Sequence, residues 1–247
     1  MEVMEAISSH LKLTNEAPNL SNKVRFDEYA ENYQKILQEQ LSFFDGNEGY
    51  FAEYKIEIIK KYIKNTPKKI LEYGCGVGRN LKYLIQHFQQ SKIYAADISK
   101  KSLDIAKADN PSVHFYLLGE DTIVDKFDLI FVALVFHHIE PGLRLKVMED
   151  ISKLLQEGGN IFIFEHNPYN PITRYLVNTC AFDADAVLLK KIKLINLLIE
   201  AKLSINTCRY TLFFPSFLKK LRFLEPMLGY LPLGGQYFIS AKKDKFL

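Results

Sequence analysis

The chain has 247 residues, 48% hydrophobic and 25% charged, the profile of a globular protein long enough to bury a sizeable core. Thirty-two Lys and Arg against 29 Asp and Glu leave a net charge of +3, too small to imply a nucleic-acid binder. The longest apolar run, Leu129 to Phe136, falls far short of the ~20 residues a membrane-spanning helix needs. The first twenty residues lack a basic start and an apolar core, so no secretion signal is expected. Cys75, Cys180 and Cys208 make neither a disulfide framework nor a zinc pattern, and a reducing cytoplasm suits them best.

Residues 1–66 read as an N-terminal extension and helical cap. Tyr29, Tyr33, Leu37, Leu41 and Phe44 recur at three- and four-residue steps, which predicts a helix with one apolar face, ended by Asp45-Gly46-Asn47. A second helix is expected from about Tyr50 to Lys64, with Ile56 and Ile59 facing inward. From Pro67 the grammar changes. Strands are expected at Ile70–Tyr73, Lys92–Ala96, Val113–Leu118, Asp128–Val135 and Asn160–Phe164, separated by helices at Asn80–Phe88, Lys100–Lys107 and Leu143–Leu155. This βαβ alternation predicts a parallel sheet with helices on both faces. After a loop rich in Asn-Pro, a helix over Asp185–Lys202 and strands near Ser204–Phe214 and Gln236–Lys242 complete the chain. The expected fold is α/β: a Rossmann-like seven-stranded sheet, mostly parallel. Residues 67–247 form its core, with a lid insertion at 215–235.

The most informative residues are Glu72-Tyr73-Gly74-Cys75-Gly76-Val77-Gly78, where a strand gives way to a helix. Glycines there allow positive φ and close approach of a ligand, whose binding place in such sheets lies beyond the carboxyl ends of the strands. A dinucleotide loop carries Gly-x-Gly-x-x-Gly. Here the spacing is Gly-x-Gly-x-Gly with an acid two positions earlier, and a carboxylate there suits a cationic amino-acid group rather than a pyrophosphate. Asp97 ends the next strand, where an acid can accept both hydroxyls of a ribose. A ligand with a ribose, an ammonium and no phosphate is S-adenosylmethionine. The run Ile70 to Asn80, followed by Ala95-Ala96-Asp97-Ile98-Ser99, Lys126 to Phe131, Leu134 to Ile139 and Leu154 to Gly159, resembles the class I S-adenosylmethionine-dependent methyltransferases. Glu157 stands where that family usually has Pro. The resemblance implies that Gly74, Gly76 and Gly78 floor the cofactor, Glu72 holds its ammonium, Asp97 takes the ribose hydroxyls and Ile98 packs on adenine. It further implies that Glu120 or Asp121 accepts the adenine amino group, that the carbonyl near Ala133 contacts the ammonium, and that the last strand of the sheet runs antiparallel. Phe26-Asp27-x-Tyr29-Ala30-x-x-Tyr33 resembles a segment of many relatives whose second Tyr reaches the cofactor carboxylate, and a core role for Tyr33 stands beside that one.

On the acceptor side, loops at 136–142, 165–186 and 215–235 all leave strands at their carboxyl ends. His166 is the candidate general base, since an imidazole titrates near neutrality. His138, Asn167 and Arg174 are candidate acceptor contacts, Arg174 for an acidic group. Asp183 and Asp185 are expected to cap the following helix. The His and acid residues show no recognised metal spacing, so no metal is expected. The function expected is methyl transfer to a small-molecule or lipid-linked acceptor, more at oxygen than at carbon or nitrogen. A cofactor-binding protein without turnover and a nicotinamide-dependent oxidoreductase are the alternatives, the latter disfavoured by the glycine spacing. Nucleic-acid methylation lacks support, because Ala133-Leu134-Val135-Phe136 stands where a catalytic Asn-Pro-Pro-Tyr/Phe tetrapeptide would be. From Leu188 onward there are 11 basic and 3 acidic residues, and residues 212–224 are apolar, aromatic and basic together. That composition suggests a wall for a greasy or anionic acceptor, or a weak contact with an anionic membrane surface.

Overall fold

The computed structural model describes Asp27 and residues 48–244. Tyr33 and the helix expected around it lie outside the described residues. Seven strands form one sheet: β1 (Lys69–Tyr73), β2 (Lys92–Asp97), β3 (His114–Leu117), β4 (Phe127–Ala133), β5 (Leu155–His166), β6 (Leu203–Thr211) and β7 (Gln236–Lys243). Their order is β3-β2-β1-β4-β5-β7-β6. β1 to β5 pair in parallel, and β7 runs antiparallel between β5 and β6. The order reverses between β1 and β4, and a ligand crevice opens at such a switch point.

The strands are apolar on both faces because helices cover both. Ile70, Leu129, Phe131, Phe162, Phe164 and Phe238 point into one core, under α1 (Glu48–Tyr62), α2 (Leu81–His87) and α3 (Lys100–Asp109). Their neighbours Leu71, Ile130, Val132, Ile161, Ile163 and Ile239 point into the other, under α4 (Arg144–Leu154) and α6 (Lys191–Glu200). Period-two alternation in an all-apolar strand thus feeds two separate cores.

Local chemistry sets the helix ends. Ser99 Oγ accepts from Ser102 N at 3.1 Å and caps α3. The Asn-Pro-rich segment expected as loop contains α5 (Pro171–Thr179): Asn170 Oδ1 accepts from Thr173 N at 2.9 Å, with Pro171 in the first turn. The helix expected from Asp185 begins only at Lys191, since residues 181–183 form a 3-10 turn and those after it run irregularly. β5 begins five residues before its expected start, and its pairing with β4 shifts register near Gly158, which holds φ +78°. Ser216–Leu224 is a kinked 3-10 helix leading into the short α7 (Glu225–Leu228), which gives the lid its body. No helix among the described residues is long and apolar enough to cross a membrane.

Candidate functional site

The glycine loop sits on the switch point, between β1 and α2. Gly74, Gly76 and Gly78 all hold positive φ, at +77°, +51° and +81°. Gly74 is confined twice, since a Cβ there would lie 2.4 Å from Val135 Cγ2, on the loop leaving β4. Gly76 is the opposite case: nothing lies within 4 Å of where its Cβ would be, so the backbone is open on that side. Asp97, buried at the end of β2, fastens the loop by accepting from Gly76 N (2.7 Å) and Ser99 N (2.9 Å). A carboxylate offers about four lone-pair sites, so capacity for two hydroxyls remains. Burial pushes its carboxyl above the usual range. Ile98 is half-buried beside it. Asp27 lies at the same end, where its Oδ1 accepts from Ser99 Oγ at 2.5 Å.

Glu72 is almost wholly buried. Its Oε1 accepts from Asn80 Nδ2 at 2.6 Å, whereas its Oε2 has no hydrogen-bond partner. An orphaned buried carboxylate oxygen costs free energy unless something cationic completes it. Burial pushes the carboxyl up to about 8. Lys55 of α1 is the nearby opposite charge. It is 6% exposed, its Nζ donates to Phe51 O at 3.2 Å, and burial and Arg79 pull it down to about 7 against the pull of Glu72. The two groups are a buried acid and a buried amine that act on each other electrostatically, charges suited to the ammonium and carboxylate of an amino acid.

Beyond the ends of β4 and β5 lies a second cluster. Leu134, just past β4, holds φ +60°, an uncommon value for a branched residue and a mark of imposed local geometry. After it, Val135 N and Phe136 N donate to Glu165 Oε1 at 3.1 and 2.7 Å, and Glu165 Oε2 lies 2.6 Å from His137 Nδ1. His137 Nε2 and His138 Nε2 face Asp183 Oδ1 at 3.5 and 3.3 Å, and His138 Nδ1 faces Asp185 Oδ1 at 3.5 Å. Arg144 braces this arrangement, donating from Nε to Ile139 O and from Nη2 to Val187 O. Burial alone would lower His137, but Glu165 and Asp183 hold it up to about 9. His166 stands with its ring centroid 5.2 Å from that of His137, and burial together with the His137 charge lowers it to about 4. Lys55 also acts on His166, lowering it slightly further.

Several expectations change. Asn167 is not available to an acceptor: it is fully buried, its Nδ2 donates to Pro232 O and Gly234 O, and its Oδ1 accepts from Tyr169 N. Its amide clamps two loops together. Asp183 and Asp185 meet histidines instead of capping a helix. Arg174 is exposed on α5, outside the cluster. Of the two exposed acids after β3, Asp121 accepts from Leu117 N at 2.7 Å, whereas Glu120 extends into solvent. β4 ends at Ala133, two residues before the expected Val135. Lys55 was missed. The signal was a lysine four residues before Ile59, on the apolar stripe of an otherwise amphipathic helix.

Residues 71–161 match the family described as "Methyltransferase domain". Over 143 residues the chain is 30% identical to a malonyl-[acyl-carrier protein] O-methyltransferase of Ilyobacter polytropus, covering 55% of this chain and 48% of that one. It is 24% identical over 119 residues to the tRNA N(3)-methylcytidine methyltransferase Mettl2 of Drosophila melanogaster, covering 42% and 36%. The chain thus spans about half the length of these curated relatives, or less. Among solved structures, phosphoethanolamine N-methyltransferase 2 of Haemonchus contortus, in complex with S-adenosyl-L-methionine, superposes with a TM-score of 0.62 at 16% identity, over 90% of this chain and 60% of that one. The last likeness is one of fold.

Proposed function

We propose that this chain, whose residues 71–161 match a methyltransferase domain, is a class I S-adenosylmethionine-dependent methyltransferase that moves a methyl group from S-adenosylmethionine to an oxygen of a small-molecule or lipid-linked acceptor. The observation that carries the reading is the buried Glu72, whose Oε2 lacks a hydrogen-bond partner, leading into a glycine loop that is open at Gly76. Glu72 Oε2 takes the ammonium of the cofactor and Lys55 its carboxylate, while Asp97 holds the ribose hydroxyls. Bound there, the cofactor supplies an electrophilic methyl on a sulfonium. Among the described residues, Lys55 is the contact for that carboxylate.

In-line displacement draws much of its rate from holding the two reacting atoms in register. His166 ends β5 with its ring against that of His137 and is held neutral, so it accepts a proton from a hydroxyl acceptor. Its lowered basicity makes it suited to an acidic hydroxyl more than to an alkyl alcohol. The acyl-carrier relative, named for O-methylation, supports oxygen as the target. The relative named for tRNA methylation makes RNA the competing acceptor.

Methyl-labelled cofactor, offered with pools of hydroxy acids, phenols, acyl-carrier thioesters and bulk tRNA, tests the proposal. Label should enter the small-molecule pools, and His166→Ala should lose at least tenfold in turnover on the acceptor found. Transfer to tRNA alone would overturn the acceptor class, and a smaller loss in His166→Ala would overturn the base assignment.

A further inference from the structure

We propose that His137 Nε2, His138 Nε2 and Asp183 Oδ1 form a three-ligand site for a divalent transition-metal cation of the zinc class. One donor atom from each of the three residues lies within 4.8 Å of the others. Asp183 Oδ1 sits 3.5 Å from one imidazole nitrogen and 3.3 Å from the other. Those separations are long for N–H···O bonds, which cluster at about 2.9–3.0 Å. They match the edges of a coordination tetrahedron, because bonds of about 2.0–2.1 Å hold neighbouring ligands about 3.3–3.4 Å apart.

The far nitrogens of both rings face carboxylates. Glu165 Oε2 is 2.6 Å from His137 Nδ1, and Asp185 Oδ1 is 3.5 Å from His138 Nδ1. The short Glu165 contact favours the His137 tautomer that carries hydrogen on Nδ1 and makes Nε2 the basic nitrogen, the usual support of a metal-bound histidine, while Asp185 adds a negative charge on the far side of His138. With Nδ1–H of His137 given to Glu165, His137 Nε2, His138 Nε2 and Asp183 Oδ1 leave three Lewis-basic atoms close enough to share one cation. The two ring centroids lie 4.1 Å apart, so charging both rings is unfavourable, whereas one divalent ion serves both. Three protein ligands leave at least one coordination position for a water or an acceptor oxygen, as in catalytic rather than structural zinc sites.

This use of the site rests on the methyltransferase reading above, but cation binding itself does not. A hydroxyl held at the open position is acidified; its O–H bond breaks with the proton passing to His166, and the oxygen electron pair then forms the bond to the methyl carbon as the carbon–sulfur pair returns to sulfur. The amino-acid spacing hides the site, because Asp183 arrives from a segment 45 residues beyond His138.

The test uses the full chain stripped with chelator and titrated with cobalt(II), whose visible absorption reports tetrahedral coordination without any turnover. One equivalent should bind. His138→Ala and Asp183→Asn should each weaken binding at least 100-fold, and Glu165→Gln, which leaves all three ligands in place, by about 10–100-fold. Calorimetry with S-adenosylmethionine on the same samples checks folding and separates the two readings. Wild-type protein that binds the cofactor but takes up no cobalt, or binds it equally well in the folded His138→Ala and Asp183→Asn variants, overturns the metal site alone.

Discussion

Glu72 on β1 and Lys55 on α1 are both buried, and burial moves both toward neutrality, the acid up to about 8 and the amine down to about 7. Between those values the carboxyl keeps its proton and the amine lacks one, so a ligand that recharges both does so by an internal transfer with no net proton exchange. Below about pH 7 Lys55 is already charged, and binding must expel the proton of Glu72. Affinity for S-adenosylmethionine therefore falls by about tenfold per pH unit on the acid side. In Glu72→Gln that acid slope should vanish from calorimetric titrations between pH 5 and 7, along with much of the affinity; an unchanged slope would show that another group titrates. The glycine loop was legible in the sequence because its demands are local, positive φ and an acid at fixed spacing. The partner of Glu72 was not, because pairing a helix lysine with a strand glutamate depends on how α1 docks.

At the scale of elements, the lid is fastened to the cap by one carboxylate. Glu225, buried at the start of α7, accepts from Tyr54 Oη, from Thr211 Oγ1 at 3.1 Å, and from the backbone N–H groups of Leu212 and Phe213 at 3.2 Å each. Arg222 adds a second tie, with its guanidinium 3.4 Å from the Tyr54 ring centroid and 2.5 Å from Glu57 Oε2. Removing a buried acceptor of four donors leaves those donors unsatisfied, so Glu225→Ala should cost about 3 kcal/mol in denaturant unfolding, against about 1 kcal/mol for Arg222→Ala, whose ion pair is partly solvated. Equal costs would mean that the carboxylate is not the main fastening. Strands and most helices were legible in their periodicity, and the antiparallel direction of the last strand in the family resemblance. The positions of α5 and the late start of α6 were not: Asn170 caps a helix within an apparent loop, and Asp183 and Asp185 are drawn to histidines from another segment.

Across the whole molecule, the +3 total divides into a basic stretch from Leu188 and an acidic remainder. Arg222 is spent inside the protein, but Lys219 and Lys220 are exposed beside Phe217 and Phe223, which are 67% and 72% exposed. We propose that this lid surface makes a weak contact with anionic membranes, worth about 1 kcal/mol per lysine near the surface. Vesicles containing phosphatidylserine should carry a fraction of the protein upward in flotation at low salt, and Lys219→Glu with Lys220→Glu should abolish it; no flotation of the unaltered protein rules the contact out.

Cofactor capture is the claim on which the account rests, and Asp97 is the residue through which the fold and the ligand meet, since it both fastens Gly76 and faces the ribose in the proposed site. Calorimetric titration of S-adenosylmethionine and, in parallel, of NAD tests it most directly. One equivalent of S-adenosylmethionine should bind the unaltered chain, NAD should not, and Asp97→Ala should lose all measurable binding while remaining folded. Preference for NAD, or unchanged S-adenosylmethionine affinity in Asp97→Ala, would contradict the account.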